Sequence, residues 1–220
     1  SDYAKPDSTF ILYAKWTPNP YTVVYDKNKP ANATHEVAGT MGSTACIYDQ
    51  NVTLNTNTYT LEGWTFVGWS RIPDGSAEFT DGQILTKPNF TPEYQGVYTL
   101  YAVWRANTYT INYAPNKPSN ASHDVTGSTA STTATYDSPV TLATNGFILT
   151  GWTFIGWDVS GNATNPLFGN GATLTVSNAN FTSVDGGSFT LYAIWRANTY
   201  KIVLAPNGGN LKDYAIASGS

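Results

Sequence analysis

The sequence predicts a mainly β protein built from small domains in tandem, an elongated array, with an α+β arrangement as the alternative. Three observations carry that expectation. Aromatic residues make up 14% of the chain and charged residues only 12%. β-branched and aromatic side chains suit a half-buried pleated surface, while Gly, Asn and Pro punctuate turns. Apolar residues alternate with a period of two in several segments, and sustained 3.6-residue periodicity is scarce. Finally, one strand-like phrase is written three times, as "ILYAKW" at 11–16, "TLYAVW" at 99–104 and "TLYAIW" at 190–195, each followed by four residues and then a tyrosine.

Such a repeat sets the domain organisation. Tyr21 and Tyr109, His35 and His123, Tyr48 and Tyr136, Trp64 and Trp152, and Trp69 and Trp157 all stand 88 residues apart. Later the offset becomes 91, as between Trp104 and Trp195, so the second copy carries a three-residue insertion. The expected organisation is the last strand of a preceding repeat at 1–19, full repeats at 20–107 and 108–198, and the start of a following repeat at 199–220.

Each element follows from the copies. In the first strand, "YTVVY", "YTINY" and "YKIVL" keep Tyr21, Val23 and Tyr25 apolar or aromatic in every version, while Val24 becomes Asn112 and Thr22 becomes Lys201. One face is therefore expected in the core and the other in water. In the last strand, expected over Phe10–Trp16 and its copies, Leu12, Ala14 and Trp16 recur as Leu100, Ala102 and Trp104, then Leu191, Ala193 and Trp195. The "GWTFVGW" segment at 63–69, with its copy at 151–157, reads as a central strand with Trp64 and Phe66 on one face and Val67 and Trp69 on the other. "IYDQNVTL" and "TYDSPVTL" read as strand, turn, strand, with Asp49 and Asp137 opening the turn. A short helix is expected in 54–62 and 142–150. The linkers "TPNP", "RANT" and "RANT" are four residues each, a span of at most ~14 Å, which predicts a semi-rigid chain of domains.

The "GWTFVGW" segment, followed about thirty residues later by "TLYAVW" and then "NTYTI", resembles the internalin B-repeat family, the Listeria–Bacteroides repeat. The likeness covers both full repeats and part of both ends. It implies tandem β-grasp-like (ubiquitin-like) domains on secreted or wall-attached bacterial proteins, serving as stalks and accessory modules of adhesins. Two departures stand out. The units are long, with extra residues in 27–45 and after Trp69, and "KNKP" and "PNKP" replace the family's "NGG", which reappears only as "PNGG" at 206–209.

The chemistry points away from catalysis. A net charge of −4 gives no electrostatic reason to expect nucleic acid, and no apolar run approaches the ~20 residues of a membrane helix. Cys46 is the sole cysteine, so no intrachain disulfide forms, and its counterpart is Ala134. His35 and His123 each precede an acid, Glu36 and Asp124, but zinc needs three or four converging ligands and no third recurs. The loop "PDGSAEFTDG" offers Asp74, Glu78 and Asp81 for calcium, yet its counterpart "SGNATNPLFGNG" holds no acid. Lys29 and Lys117 recur beside prolines in a loop, a poor setting for an isopeptide bond. Six Asn-X-Ser/Thr sequons (Asn32, Asn51, Asn89, Asn120, Asn162 and Asn180) exceed chance little in so Asn- and Thr-rich a chain. No metal or cofactor is expected.

The best candidate binding residues are therefore aromatic: Trp69, Trp157, Tyr101 and Tyr192, whose faces could stack on sugar rings or anchor a partner protein. The competing reading puts them in the core or interdomain joint of a small domain, which needs large apolar side chains. The functional expectation is a non-enzymatic stalk or spacer of a bacterial cell-surface or secreted adhesin-like protein. The alternative is a module binding a host glycan or surface or matrix protein, with an accessory role beside a secreted glycosidase as one form. Incomplete terminal repeats could instead pair between molecules.

Overall fold

The computed structural model describes Thr9 and residues 11–203, the side chain of Asn178 excepted. Strands dominate. The first repeat contains β1 (Pro20–Asp26), β2 (Thr44–Ile47), β3 (Val52–Thr53), β4 (Trp64–Ser70), β5 (Ile84–Leu85) and β6 (Gly96–Ala106). The second contains β7 (Thr108–Ala114), β8 (Thr126–Gly127), β9 (Thr132–Thr135), β10 (Val140–Thr141), β11 (Phe147–Ile148), β12 (Trp152–Asp158), β13 (Thr173–Leu174), a single helical turn α1 (Val176–Ala179) and β14 (Gly187–Ala197). The chain is mainly β.

The described residues divide into two compact units. Unit 1 draws on the described residues up to Asn112, with Ser131–Leu142 and Thr173–Phe189; unit 2 draws on Tyr113–Ala130, Ala143–Ala172 and the described residues from Thr190 on. Unit 1 thus takes in the first repeat together with the "TYDSPVTL" turn and the 173–189 segment of the second.

In unit 1 a four-stranded sheet has the order β2-β1-β6-β4. β1 runs parallel to β6, from Tyr21 opposite Gly96 to Asp26 opposite Tyr101, and β2 and β4 flank this pair antiparallel. The second repeat pairs β7 with β9 antiparallel within unit 1 and β12 with β14 antiparallel within unit 2. The period-two expectation holds: Tyr21, Val23, Leu100 and Ala102 are buried, as are Tyr109, Ile111, Leu191 and Ala193.

The "GWTFVGW" strand departs from simple alternation. β4 pairs Phe66 with Trp104 and then Gly68 with Val103, so Val67 is an extra residue in a bulge; β12 bulges at the same place, between Phe154 and Gly156. The extra residue shifts the pleat, so Phe66 and Trp69 share a side and their rings meet edge-on at 4.9 Å. Val67 turns outward and is 47% exposed. Gly68 is required here, because a Cβ on it would run into the Phe79 carbonyl that receives the Trp69 N–H.

The expected helices in 54–62 and 142–150 are absent. Asn57 closes a local ring instead: its Oδ1 accepts the Tyr59 N–H at 2.9 Å and its Nδ2 donates to the Tyr59 carbonyl at 3.0 Å. Asn145 does the same with Phe147. Such bonds offer the backbone an alternative to helix, and the flanking residues join extended pairs, Thr60 with Ala38 and β11 with β8. The expected terminal strands are also not formed among the described residues. Residues 11–16 and 200–203 carry no regular secondary structure, with Leu12 93% and Trp16 88% exposed. β6, the counterpart of 11–16, owes its ladder to neighbours on both sides, and a lone strand is not stable in water. Phe10 and Leu204, the outer ends of those expected strands, lie outside the described residues.

Candidate functional site

The aromatic residues singled out from the sequence sit mostly inside. Trp69 and Trp157 are 0% exposed. Trp69 is packed by Tyr25 at 4.7 Å, Tyr59 at 6.3 Å and Phe66 at 4.9 Å between ring centroids. Trp157 has the matching set, Tyr113, Phe147 and Phe154. The bulge turns both rings inward, so neither offers a face to a ligand, and Trp69→Ala would cost roughly 3–5 kcal/mol of core. The two differ at the indole nitrogen: Trp157 Nε1 donates to the Ala143 carbonyl at 3.2 Å, while Trp69 Nε1 is buried without a partner among the described residues. Tyr101 and Tyr192 are half-buried on their strands, Tyr192 close against Gly161.

The polar candidates also find plain partners. Lys29 pairs with Glu36 at 2.5 Å and Lys117 with Asp124 at 2.7 Å, so the recurring lysines and the acids after the histidines are one recurring surface ion pair. Glu78 is held by Arg71 at 2.5 Å and Asp81 accepts the Asn57 N–H at 2.7 Å, which takes two of the three acids of the 73–82 loop. Among the described residues no group of three or more His, Cys, Asp or Glu could hold a metal ion, and no helix is long and apolar enough to cross a membrane.

The densest polar constellation lies within unit 1, around linker residue Asn107, which is 7% exposed. Its Oδ1 accepts from Thr65 Oγ1 at 2.6 Å and its N–H donates to the Gly63 carbonyl at 2.8 Å, both in the first repeat. Its Nδ2 donates to the Ser183 carbonyl at 2.8 Å and its carbonyl accepts the Tyr136 N–H at 2.8 Å, both in the second. Every hydrogen-bonding group type of one asparagine is thus used, two toward each repeat. Among the described residues the other linkers show each half alone. Asn19 donates to the Pro92 carbonyl at 2.9 Å and receives the Tyr48 N–H. Asn198 accepts from Thr153 Oγ1 at 2.6 Å and donates its N–H to the Gly151 carbonyl at 2.9 Å.

Next to Asn107 lies the Tyr136–Asp137 turn. Asp137, at φ 54° and 3% exposed, accepts from Thr34 N–H at 3.0 Å, Thr34 Oγ1 at 2.7 Å, Trp64 Nε1 at 2.9 Å and Asn180 Nδ2 at 2.8 Å. Burial works to raise this carboxyl, but the bonds from Thr34, Trp64 and Asn180 outweigh it and hold it below the ordinary aspartate value. Tyr136 fills the space over Gly63, whose φ of 73° and missing Cβ admit the ring. Burial, with the Glu62 carboxylate beside it, pushes the Tyr136 hydroxyl up to about 12. His35 lies over the same ring, 6.3 Å between centroids, with Glu62 at 3.5 Å. Arg105 grips Asp185 through both terminal nitrogens, at 2.8 and 3.3 Å, which with the Thr108 N–H lowers that carboxyl to about 2.

The corresponding turn of the first repeat keeps only part of this. Asp49 and Asn89 bond each other at 2.8 and 2.9 Å, as Asp137 and Asn180 do, but Asp49 is exposed. The difference is the set of donors that Thr34 and Trp64 bring. Sequence reading missed this site, although the signal was present: asparagine is the third residue of all three linkers, and "YD" recurs at 48–49 and 136–137.

A second concavity, of about 510 Å³, lies in unit 2, with Trp152, Trp195, Asn116, Lys117, Asn120 and Asn162 among its walls. Trp195 Nε1 donates to the Pro115 carbonyl at 2.8 Å, which fixes that ring.

No family model matches the chain. It is similar to a protein of Evansella cellulosilytica named "Putative Gly-rich membrane protein", 26% identical over 206 residues. The alignment covers 90% of this chain and 20% of that protein, so the chain spans about a fifth of the relative's length.

Proposed function

We propose that the chain is a non-enzymatic run of B-repeat-like, β-grasp-like modules, at 20–107 and 108–198, that spaces a functional head on a bacterial cell-surface or secreted protein. The observation that carries this reading is the double engagement of Asn107, with its two halves recurring at Asn19 and Asn198. A linker meant only to tether would be solvated and free; this one spends its polar groups on both neighbours. The mixed sheet with its central parallel pair fits a β-grasp strand order. The membrane-protein name of the Evansella relative supports an envelope setting, and the resemblance to the internalin repeats supports an extracellular one. Spin labels on exposed Ser43 and Thr164 test the spacer role. A narrow distance distribution that broadens in Asn107→Ala is the expected result; one already as broad as that of a Gly/Ser-tethered pair overturns it.

A second reading, recognition of a glycan or host surface protein, alone or beside a secreted glycosidase, is favoured by the Trp152–Trp195 concavity with its asparagine-rich wall. It relocates the binding aromatics from Trp69, Trp157, Tyr101 and Tyr192 to Trp195. Saturable binding on a glycan and matrix-protein array that is lost in folded Trp195→Ala supports this reading. Signal at background for both proteins leaves it without support.

A further inference from the structure

We propose that Trp152, Thr153, Arg196 and Asn198, with Ser122, form a docking surface for a further repeat of the same class, one bearing acids at both positions filled by Asp137 and Asp185. The inference rests on the tandem-array reading and adds the partner's chemistry. The first repeat's copies of these residues are Trp64, Thr65, Arg105, Asn107 and Thr34. In unit 1 four of the five meet the second repeat, Thr34 and Trp64 through Asp137, Arg105 through Asp185, and Asn107 through the Ser183 carbonyl and the Tyr136 N–H, while Thr65 bonds Asn107.

In unit 2 three of the copies stand ready, Trp152, Arg196 and Asn198, while Ser122 Oγ lies 3.1 Å from His123 Nδ1 and Thr153 Oγ1 donates to Asn198. Trp152 Nε1 has no acceptor and Arg196 no ion-pair partner among the described residues. Among the described residues Asn198 makes only its backward bonds, to Gly151 and Thr153. Thr153, Arg196, Ala197, Asn198 and Thr199 enclose a groove of about 640 Å³. Gly151, at φ 82°, has no atom of the described residues within 4 Å of where its Cβ would stand, which is the space that Tyr136 fills over Gly63. A cation, an indole N–H and an open glycine together fit a Tyr-Asp turn followed by a second acid.

The second acid is a discriminating feature. At the first linker the position of Arg105 is Thr17 and the position of Asp185 in the first repeat is Tyr94, so an uncharged residue at the one position accompanies an uncharged residue at the other. Arg105 accompanies Asp185. Arg196 keeps the cation, and so selects the acidic type of turn.

The test joins a second copy of Thr108–Asn198 directly after Asn198 of the chain and follows hydrogen exchange of the indole N–H groups. Trp152 is expected to exchange at least tenfold more slowly than in the original chain and to approach Trp64. Asp137→Ala with Asp185→Ala in the added copy returns it to the original rate, while the copy's own Trp157 stays protected and so reports a folded copy. Unchanged exchange at Trp152 beside a folded wild-type copy overturns the proposal. If Trp64 is protected in that experiment, the existing joint and the spacer reading survive; if Trp64 is also free, both fall. Adding a copy of Pro20–Asn107 instead, with Tyr94 in the acid's place, is expected to protect Trp152 less. Equal protection overturns the charge matching.

Discussion

At the scale of single residues, a glycine and a tyrosine from different repeats explain each other. Gly63 and Gly151 have the same sequence context and similar φ, 73° and 82°, but only Gly63 lies under a ring. An alanine at either position pays about 1–2 kcal/mol for a left-handed backbone. At Gly63 the methyl also meets Tyr136 and adds about 1–3 kcal/mol of overpacking. Gly63→Ala is therefore expected to lower the melting temperature more than Gly151→Ala, and to do so less when combined with Tyr136→Ala, as a thermal-melt double-mutant cycle will read. Glycine in "GWTF" was legible as a strand start. Its partner was not, because a contact across 73 residues leaves no local trace.

At the scale of elements, the first and last strands were readable because burial on one face enforces a period of two on Tyr21, Val23, Leu100 and Ala102. The "GWTFVGW" strand was readable as a strand but not in its facing. A single bulged residue, Val67, inverts the pattern after it, and with it the placing of Trp69 and Trp157. Asn57 and Asn145 look neutral in a propensity count, yet their side chains capture their own backbone and exclude the expected helix. The linker is where element and residue meet. Asn107→Ala leaves the Thr65 hydroxyl and the Ser183 carbonyl without their buried partner and is expected to cost about 1–3 kcal/mol. Asn198→Ala acts on an exposed residue, so its effect should stay within about 0.5 kcal/mol. Urea denaturation of the two variants side by side measures the difference.

At the scale of the whole molecule, the repeats were plain in the sequence, while the pairing of Asp137 with Thr34 and Trp64, 103 and 73 residues away, leaves no local trace in it. That pairing has a pH signature. Asp137 and Asp185 have lowered values in the folded chain, so their contribution is present above the ordinary aspartate value of 3.8. It is lost as pH falls through the folded values, which for Asp185 lies at about 2. The Trp64 indole N–H resonance should therefore hold its position from neutral pH to about 4 and move on further acidification. Asp137→Asn with Asp185→Asn should flatten that profile.

The parallel pairing of β1 with β6 bears on how the first repeat would carry tension. β1 opens the repeat and β6 closes it, and they lie side by side over six register pairs, pointing the same way. A pull on the two ends of the repeat draws these strands past one another lengthwise, so the ladder is sheared as a block instead of being peeled bond by bond. A module built this way resists stretching far better than its modest size suggests. Single-molecule extension along the chain axis should show an abrupt rupture of this repeat at high force, whereas pulling between Asp26 and Tyr101, at one end of the ladder, should unzip it at low force.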